Sequence, residues 1–320
     1  MPFYLAADGA VHPAAVPVMV ACRCCPGGVS RSTRARRYPS DMSEAEWAVC
    51  ELLLPGPAWL AGRGGRPASH CMRDIVDAIR YLTHNGPVWR ALPADFPPAG
   101  TVYWWAGKWQ ADGSTERMHD DLRERVRLAA GRKPRPTAAI IDSQSVKGSE
   151  MIARTRRGYD AGKKINGTKR HLAVDALGLL LTVLVTAASV QDRDAARPLL
   201  WNLRRAFPTI KLAWADGGYA GKLVTWAKTW LRLRVEIVKR PDDLHTFQVL
   251  PRRWVVERTR AWITRHRRTV REYKRLAAHH ETYIYWAMII VMTRRLARQP
   301  ATASPLPASS NTVRIPNYVR

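Results

Sequence analysis

Thr137-Ala138-Ala139-Ile140-Ile141-Asp142 and Ile210-Lys211-Leu212-Ala213-Trp214-Ala215-Asp216 decide the architecture. Each is a short, nearly all-apolar run that stops at an aspartate, which is the pattern of a strand buried on both faces. Between them, Lys169 to Val174 and Leu179 to Ala187 flank Asp175-Ala176-Leu177-Gly178, a hairpin turn. A helix opens at Asp192 or Asp194 and runs to about Phe207. Beyond the second run, Lys222 to Trp230 has helical spacing, Val235 to Val238 reads as a strand, and a long helix starts near Arg252. The order is β-β-β-α-β-α-β-α.

An antiparallel opening followed by α/β alternation is the ribonuclease-H-like pattern, an α/β fold with a mixed β-sheet flanked by helices. In that strand order the runs ending in Asp142 and Asp216 are neighbours, so their carboxylates converge at the carboxyl ends, where open α/β sheets place their sites. Two hard carboxylates there make a seat for Mg²⁺. Gly217 and Gly218 let a phosphate backbone approach closely. Either aspartate alone reads equally well as a turn cap; the pairing favours the metal. Glu257 stands at the start of the long helix. Stepping by 100° puts Val255, Thr259, Trp262, His266, Val270 and Tyr273 on a core-facing side, and Glu257 opposite with Arg253, Arg260, Thr264 and Arg268. That carboxylate is either a helix ion pair or an acid ligand within a phosphate-gripping face.

Upstream, the 320-residue chain is organised differently. Residues 1–37 lack a hydrophobic period and read as a disordered basic arm. Residues 38–130 read as a small all-α unit, with a capping box at Ser43 and Glu46, an amphipathic helix around Ile75, Ala78, Ile79 and Leu82, and a third helix from Thr101. Helices separated by basic loops suit a helix-turn-helix-like DNA-binding domain or, with equal weight, a helical cap on the larger domain. Residues 131–298 carry the mixed sheet, and 299–320 form a disordered tail.

Lys and Arg number 52 against 26 Asp and Glu, a net charge of +26. That excludes an ordinary enzyme of small neutral substrates as the default and favours a polyanion partner, above all nucleic acid. Cys22, Cys24 and Cys25 have no second Cys or His pair at zinc spacing, so they read as thiols in the arm rather than a metal site. The best apolar run, Tyr283 to Met292, falls short of the ~20 residues a spanning helix needs. A cytoplasmic, nucleoid-associated protein without membrane contact is expected. His171 reads as a core or backbone-bonded histidine rather than a base.

Ile141-Asp142-Ser143-Gln144-Ser145-Val146, Lys169-Arg170-His171-Leu172-Ala173-Val174-Asp175, Ala215-Asp216-Gly217-Gly218-Tyr219 and Arg253-Trp254-Val255-Val256-Glu257-Arg258-Thr259 resemble bacterial DDE transposases of the insertion-sequence-five family. Tyr38-Pro39-Ser40-Asp41, Glu46-Trp47, Gly86 to Pro93 and Thr101-Val102-Tyr103 resemble that family's helical domain. The resemblance implies a ribonuclease-H-like core in which Asp142, Asp216 and Glu257 are the catalytic, metal-binding triad for Mg²⁺ (or Mn²⁺). It implies cleavage of insertion-element ends and joining of their 3′-OH groups to target DNA by in-line phosphodiester transfer. The partners it implies are double-stranded DNA, both element inverted repeats and target, and a second copy of the chain in a homodimer on DNA. Lys163, Lys164, Lys169, Arg170, Arg253, Arg260, Arg265 and Arg268 are the expected phosphate contacts. In the family's helix signature Leu250 stands at the Tyr position and Thr264 at that of the final base, with Arg265 next. The other reading is a DNA-binding protein with an inactive transposase-like core, a decayed element or a repressor.

Overall fold

In a computed structural model, which describes residues 32–56, 68–238 and 253–298 together with Cys22, Cys24, Cys25, Trp59, Gly62 and Gly64, the first apolar run is strand β1, Ala138–Lys147. It continues past Asp142, where the sequence reading ends it. The reason is its partner on one side: β3 (Ile165–Val174) pairs antiparallel with it from Ile140 opposite Val174 to Lys147 opposite Gly167. On the other side β5 (Leu212–Ala215) pairs in parallel only from Ala138 to Ile140. Asp142 therefore lies inside β1, just beyond its parallel stretch.

A third strand, β4 (Leu180–Ala187), lies on the far edge of β3, and β2 (Gly158–Asp160) extends that edge. The β3–β4 turn forms as expected: Asp175 Oδ1 accepts from the backbone N–H of Leu177 and of Leu179, each at 2.9 Å. Gly178 adopts φ 78°, a conformation that glycine reaches without Cβ strain. Last, β6 (Arg234–Ile237) runs parallel to β5. Three antiparallel strands followed by two parallel to the first make the ribonuclease-H-like mixed sheet.

Alternation along the strands divides the core. Ala139, Ile141, Ala213 and Ala215 face α5 (Asp192–Ala206) and α6 (Lys222–Leu231), where Leu199, Leu203, Leu223 and Ala227 cover them. Ile140, Leu172 and Val174 face the other way, toward Val255, Val256 and Ile263 of α7 (Arg253–Thr264) and Ile284 and Met288 of α8 (Ala277–Ala297).

That second cluster continues without a break into the amino-terminal helices: α1 (Glu44–Glu51), α2 (Met72–Asn85), α3 (Ala99–Ala111) and α4 (Ser114–Ala129). The capping box is formed, with Ser43 Oγ accepting from the Glu46 N–H at 3.2 Å and Glu46 Oε2 from the Ser43 N–H at 3.0 Å. Helix α8 packs against α1, α2, α4 and β4. Arg80, fully buried on α2, donates to the Ser40 carbonyl (3.0 Å), Glu46 Oε1 (2.6 Å) and Thr293 Oγ1 of α8 (2.9 Å). Arg127 on α4 pairs with Asp175 of the β3–β4 turn. Charged clamps thus tie the helical segment to the sheet.

Two expectations need correction. The helix from Arg252 is not one long element. It ends at Thr264 and gives way to a 3₁₀ turn at Arg267–Thr269, where the Thr269 hydroxyl lies 2.7 Å from the Ile263 carbonyl and 2.8 Å from that of His266, with one proton to donate between them. Val255, Thr259 and His266 are buried as the helical spacing predicts, whereas Val270 and Tyr273, past the break, are exposed. The arm expected over 1–37 is, in its described residues, bonded to α2: Ser32 Oγ donates to Asp74 Oδ1 at 2.6 Å, and Arg34, with its side chain covered, pairs with Asp77 at 3.1 Å and with Asp41 ahead of α1 at 2.9 Å. The tail at 299–320 lies outside the described residues. Among the described residues no helix is long and apolar enough to cross a membrane.

Candidate active site

Register places the two aspartates. The last parallel pair is Ile140 with Trp214, and Asp142 and Asp216 each follow two residues later. Asp142, two residues past Ile140 within β1, keeps that residue's face and meets Arg260 of α7, while Asp216 follows the last residue of β5 as the N-cap of the turn after it. This is the carboxyl end of the parallel strands, where the sequence reading sets the site.

Local bonds hold each carboxylate. Asp142, largely buried, accepts from the Ser143 N–H through Oδ1 at 2.8 Å. Asp216 caps the 3₁₀ turn Gly217–Tyr219 by accepting from the Gly218 N–H at 2.9 Å. A Cβ on Gly218 would stand 3.1 Å from Asp216 Oδ1, whereas one on Gly217 would meet nothing within 4 Å. Gly218 therefore leaves Asp216 Oδ1 uncrowded, and Gly217 faces open space. Tyr219 turns its ring into the core under the site. Burial first, and then the carboxylates of Asp142, Asp192 and Asp216, push its phenol well above its ordinary range. The tyrosine hydroxyl thus stays protonated amid three carboxylates.

Glu257 is on α7 with its side chain 47% exposed. Arg260, one turn on, connects it to the sheet: Nη2 stands 3.2 Å from Asp142 Oδ2 and 3.9 Å from Glu257 Oε1. A guanidinium between two carboxylates neutralises charge that would otherwise keep them apart. The three acids are not gathered as tightly as a closed metal site, since the tightest ligand cluster among the described residues lies elsewhere. Their chemistry nonetheless fits a hard divalent cation, with all-oxygen donors and an open glycine approach, and Arg260 holds the charge that such an ion would take up.

The expected phosphate contacts divide. Lys163 and Lys164 are exposed in the β2–β3 turn, and Arg265 is exposed just after α7. Lys169 and Arg170 are turned inward. Lys169 Nζ is 3.0 Å from Asp192 and donates to the Val190 carbonyl at 2.9 Å. Arg170 is fully buried, with Nε on Gln144 Oε1 at 2.9 Å and Nη1 on the Thr269 carbonyl at 3.1 Å. Both lie within β3, flanked on either side by β1 and β4, which leaves no open edge. Arg268 Nη1 donates to the Pro87 carbonyl at 2.6 Å, and its guanidinium lies over the Tyr283 ring at 5.2 Å. The break after Thr264 removes Arg268 from the face of Glu257 and gives it to the helical segment. The side chain of Arg253 lies outside the described residues. Thr264 bonds back to the Arg260 carbonyl at 2.9 Å.

Sequence reading did not single out Asp192, Tyr219 or the bridging role of Arg260. Asp192 has the sequence signal of a first-turn helix acid, and its place beside Tyr219 follows only from the packing of α5 on the sheet. His171 is a core residue, as expected, with Nε2 3.0 Å from Thr186 Oγ1.

A family profile described as "Transposase DDE domain" matches residues 133–292. A second profile, named for transposases of the IS4/5 family, matches residues 42–119. A Burkholderia cepacia protein named as a transposase for insertion sequence element IS402 is 29% identical over 143 residues, 41% of this chain and 65% of that protein. The chain thus matches less than two thirds of that relative's length. An uncharacterized 16.2 kDa protein of the same insertion element is 29% identical over 126 residues, covering 38% of this chain and 76% of its own. Among solved structures, the Drosophila P element transposase strand transfer complex matches with a TM-score of 0.29 and 15% identity, over 57% of this chain and 44% of that one.

Proposed function

Because the chain belongs to the bacterial IS4/5 family of DDE transposases, we propose that it cleaves the ends of its insertion element and joins their 3′-OH groups to target DNA. The observation that carries this reading is the placement of Asp142 and Asp216 two residues past one parallel pair, with Arg260 of the helix that bears Glu257 standing 3.2 Å from Asp142. In the first step a water oxygen bonds to phosphorus at the element end as the P–O3′ bond breaks, leaving a 3′-OH and a 5′-phosphate. In the second, that 3′ oxygen attacks a target phosphate in line and a target 3′ oxygen leaves.

Asp142, Asp216 and Glu257 would hold Mg²⁺ or Mn²⁺, which when bound supplies Lewis acidity at the phosphate and a more acidic attacking hydroxyl. Ser143 and Gly218 fix the two aspartates through backbone N–H groups. Gly217 and Gly218 admit the sugar-phosphate chain. Arg265, Lys163 and Lys164 grip flanking phosphates, and Arg260 balances the charge of the acids until DNA and metal arrive. The helices of residues 38–130 read the inverted repeats, and a second copy of the chain holds the other end.

The test is cleavage of a duplex carrying the ends of the element, by the full chain with Mg²⁺. Asp142→Asn, Asp216→Asn and Glu257→Gln should each abolish cleavage and leave gel-shift binding near wild type, because an amide keeps the shape and loses the charge that holds the metal. Near wild-type cleavage by any variant would remove that residue from the triad. Binding of wild type without metal-dependent cleavage would favour a repressor or a decayed element.

A further inference from the structure

The tightest cluster of ligand atoms in the described residues is not acidic, and no step of transposition uses it. Cys22 Sγ and Cys24 Sγ each stand 3.6 Å from Cys71 Sγ, 2.9 Å separates the first two, and Cys25 Sγ is 3.9 Å from Cys24 Sγ. All four sulfurs lie within 4.8 Å of one another and all four residues are buried. No disulfide links them. Cys71 joins the group from 46 residues beyond Cys25, which is why the local spacing alone reads as thiols in an arm.

Four thiolates at the usual Zn–S distance of ~2.3 Å form a tetrahedron with edges of ~3.8 Å. The separations of the four sulfurs, from 2.9 Å to no more than 4.8 Å, bracket that edge. Sulfurs this close fit one ion; in a multi-iron cluster the cysteines bind different irons and stand farther apart. The surroundings suit negative sulfur. Cys71 is the N-cap of the 14-residue helix α2, and the Met72 N–H of its first turn points at Cys24 Sγ across 3.3 Å. Helix N-termini stabilise anions.

We propose that Cys22, Cys24, Cys25 and Cys71 hold one structural zinc ion that clips the amino-terminal segment to the start of α2. The clip continues into the bonds of Ser32 and Arg34 to Asp74 and Asp77 of the same helix. Its ligands do not include the three acids, so the two sites can be tested separately.

The experiment is metal analysis of the full chain purified under reducing conditions without chelator. About one zinc per chain is expected, released when a mercurial blocks the thiols. Cys71→Ser and Cys22→Ser should each lower zinc content by about tenfold or more. Cys50→Ser should leave it unchanged, because that sulfur packs elsewhere, 4.0 Å from Met118 Sδ. Cobalt added to metal-stripped wild type should give the thiolate charge-transfer bands of a tetrahedral sulfur site, so the proposal stays testable if a serine variant fails to fold. Zinc in wild type no higher than in Cys71→Ser would overturn it. So would stoichiometric iron in place of zinc, or a Cys22–Cys24 disulfide in the reduced preparation.

Discussion

Arg260 Nη2 stands 3.2 Å from Oδ2 of Asp142, on the side of that carboxylate that faces Glu257. A guanidinium in that position and a divalent cation compete for the same charge. Arg260→Gln should therefore lower the Mg²⁺ concentration needed for half-saturation by up to about fivefold, since a partly exposed ion pair is worth ~0–1 kcal/mol. Calorimetric titration, or terbium luminescence with Mg²⁺ as competitor, reads the shift. A rise in the Mg²⁺ requirement would mean that Arg260 orients Asp142 rather than competing with the ion.

Arg268 and Arg265 should separate by assay. Arg268 bonds the Pro87 carbonyl, so Arg268→Ala should cost about 1.5–3 kcal/mol of stability, as losing a charged hydrogen bond does, and leave the salt dependence of DNA binding unchanged. Arg265→Ala and Lys164→Ala should melt like wild type and flatten the plot of log affinity against log salt by about one unit each. A flattened plot for Arg268→Ala would put that guanidinium on the DNA.

Removing one partner of the buried Arg80–Glu46 pair leaves the other uncompensated. Glu46→Ala should destabilise the fold by ~3–5 kcal/mol in chemical denaturation. Thr293→Val, which removes only the α8 end of the same network, should cost less, about 1 kcal/mol. Equal costs would show that α8, not the ion pair, sets the stability of the helical segment.

Stability should fall as the solution is acidified. Burial pushes His171 down to about 4 from 6.5, so the unfolded chain binds the proton more readily than the folded one. The neutral ring's contribution is complete above pH 6.5 and is lost as pH falls toward 4. Between pH 7 and pH 5 this amounts to roughly 1–2 kcal/mol. His266, also pushed down by burial, adds slope of the same sign. Melting temperatures across that range for wild type and His171→Asn test the assignment; equal slopes would mean that His171 does not contribute.

The strands and their acids are legible because a short apolar run closed by an aspartate admits few alternatives, and register carries Asp142 and Asp216 together once the strand order is known. The neighbourhood of the acids is less legible. Lys169 and Arg170 look like solvated charge because nothing local announces Asp192 or Gln144 as their partners. The break after α7 is accompanied by a bond from the Thr269 hydroxyl back to the carbonyls near the helix end, which helical spacing does not announce. Cys71 reads as an isolated thiol until the fold brings Cys22, Cys24 and Cys25 to it. In each case the deciding partner is remote in sequence, and propensity or periodicity senses only what is near.

The position of α8 bears on how the chain is made. It is translated after every other described element, yet α1, α2 and α4 all bury their apolar faces on it. Roughly 150 residues separate the end of α4 from the start of α8, so at ~5–20 residues per second α4 waits about 7–30 s on the ribosome for its partner, and α1 and α2 wait longer. During that interval they expose the surface that chaperones recognise. The helical segment thus reaches its packed form only after the ribosome has also made all three acids.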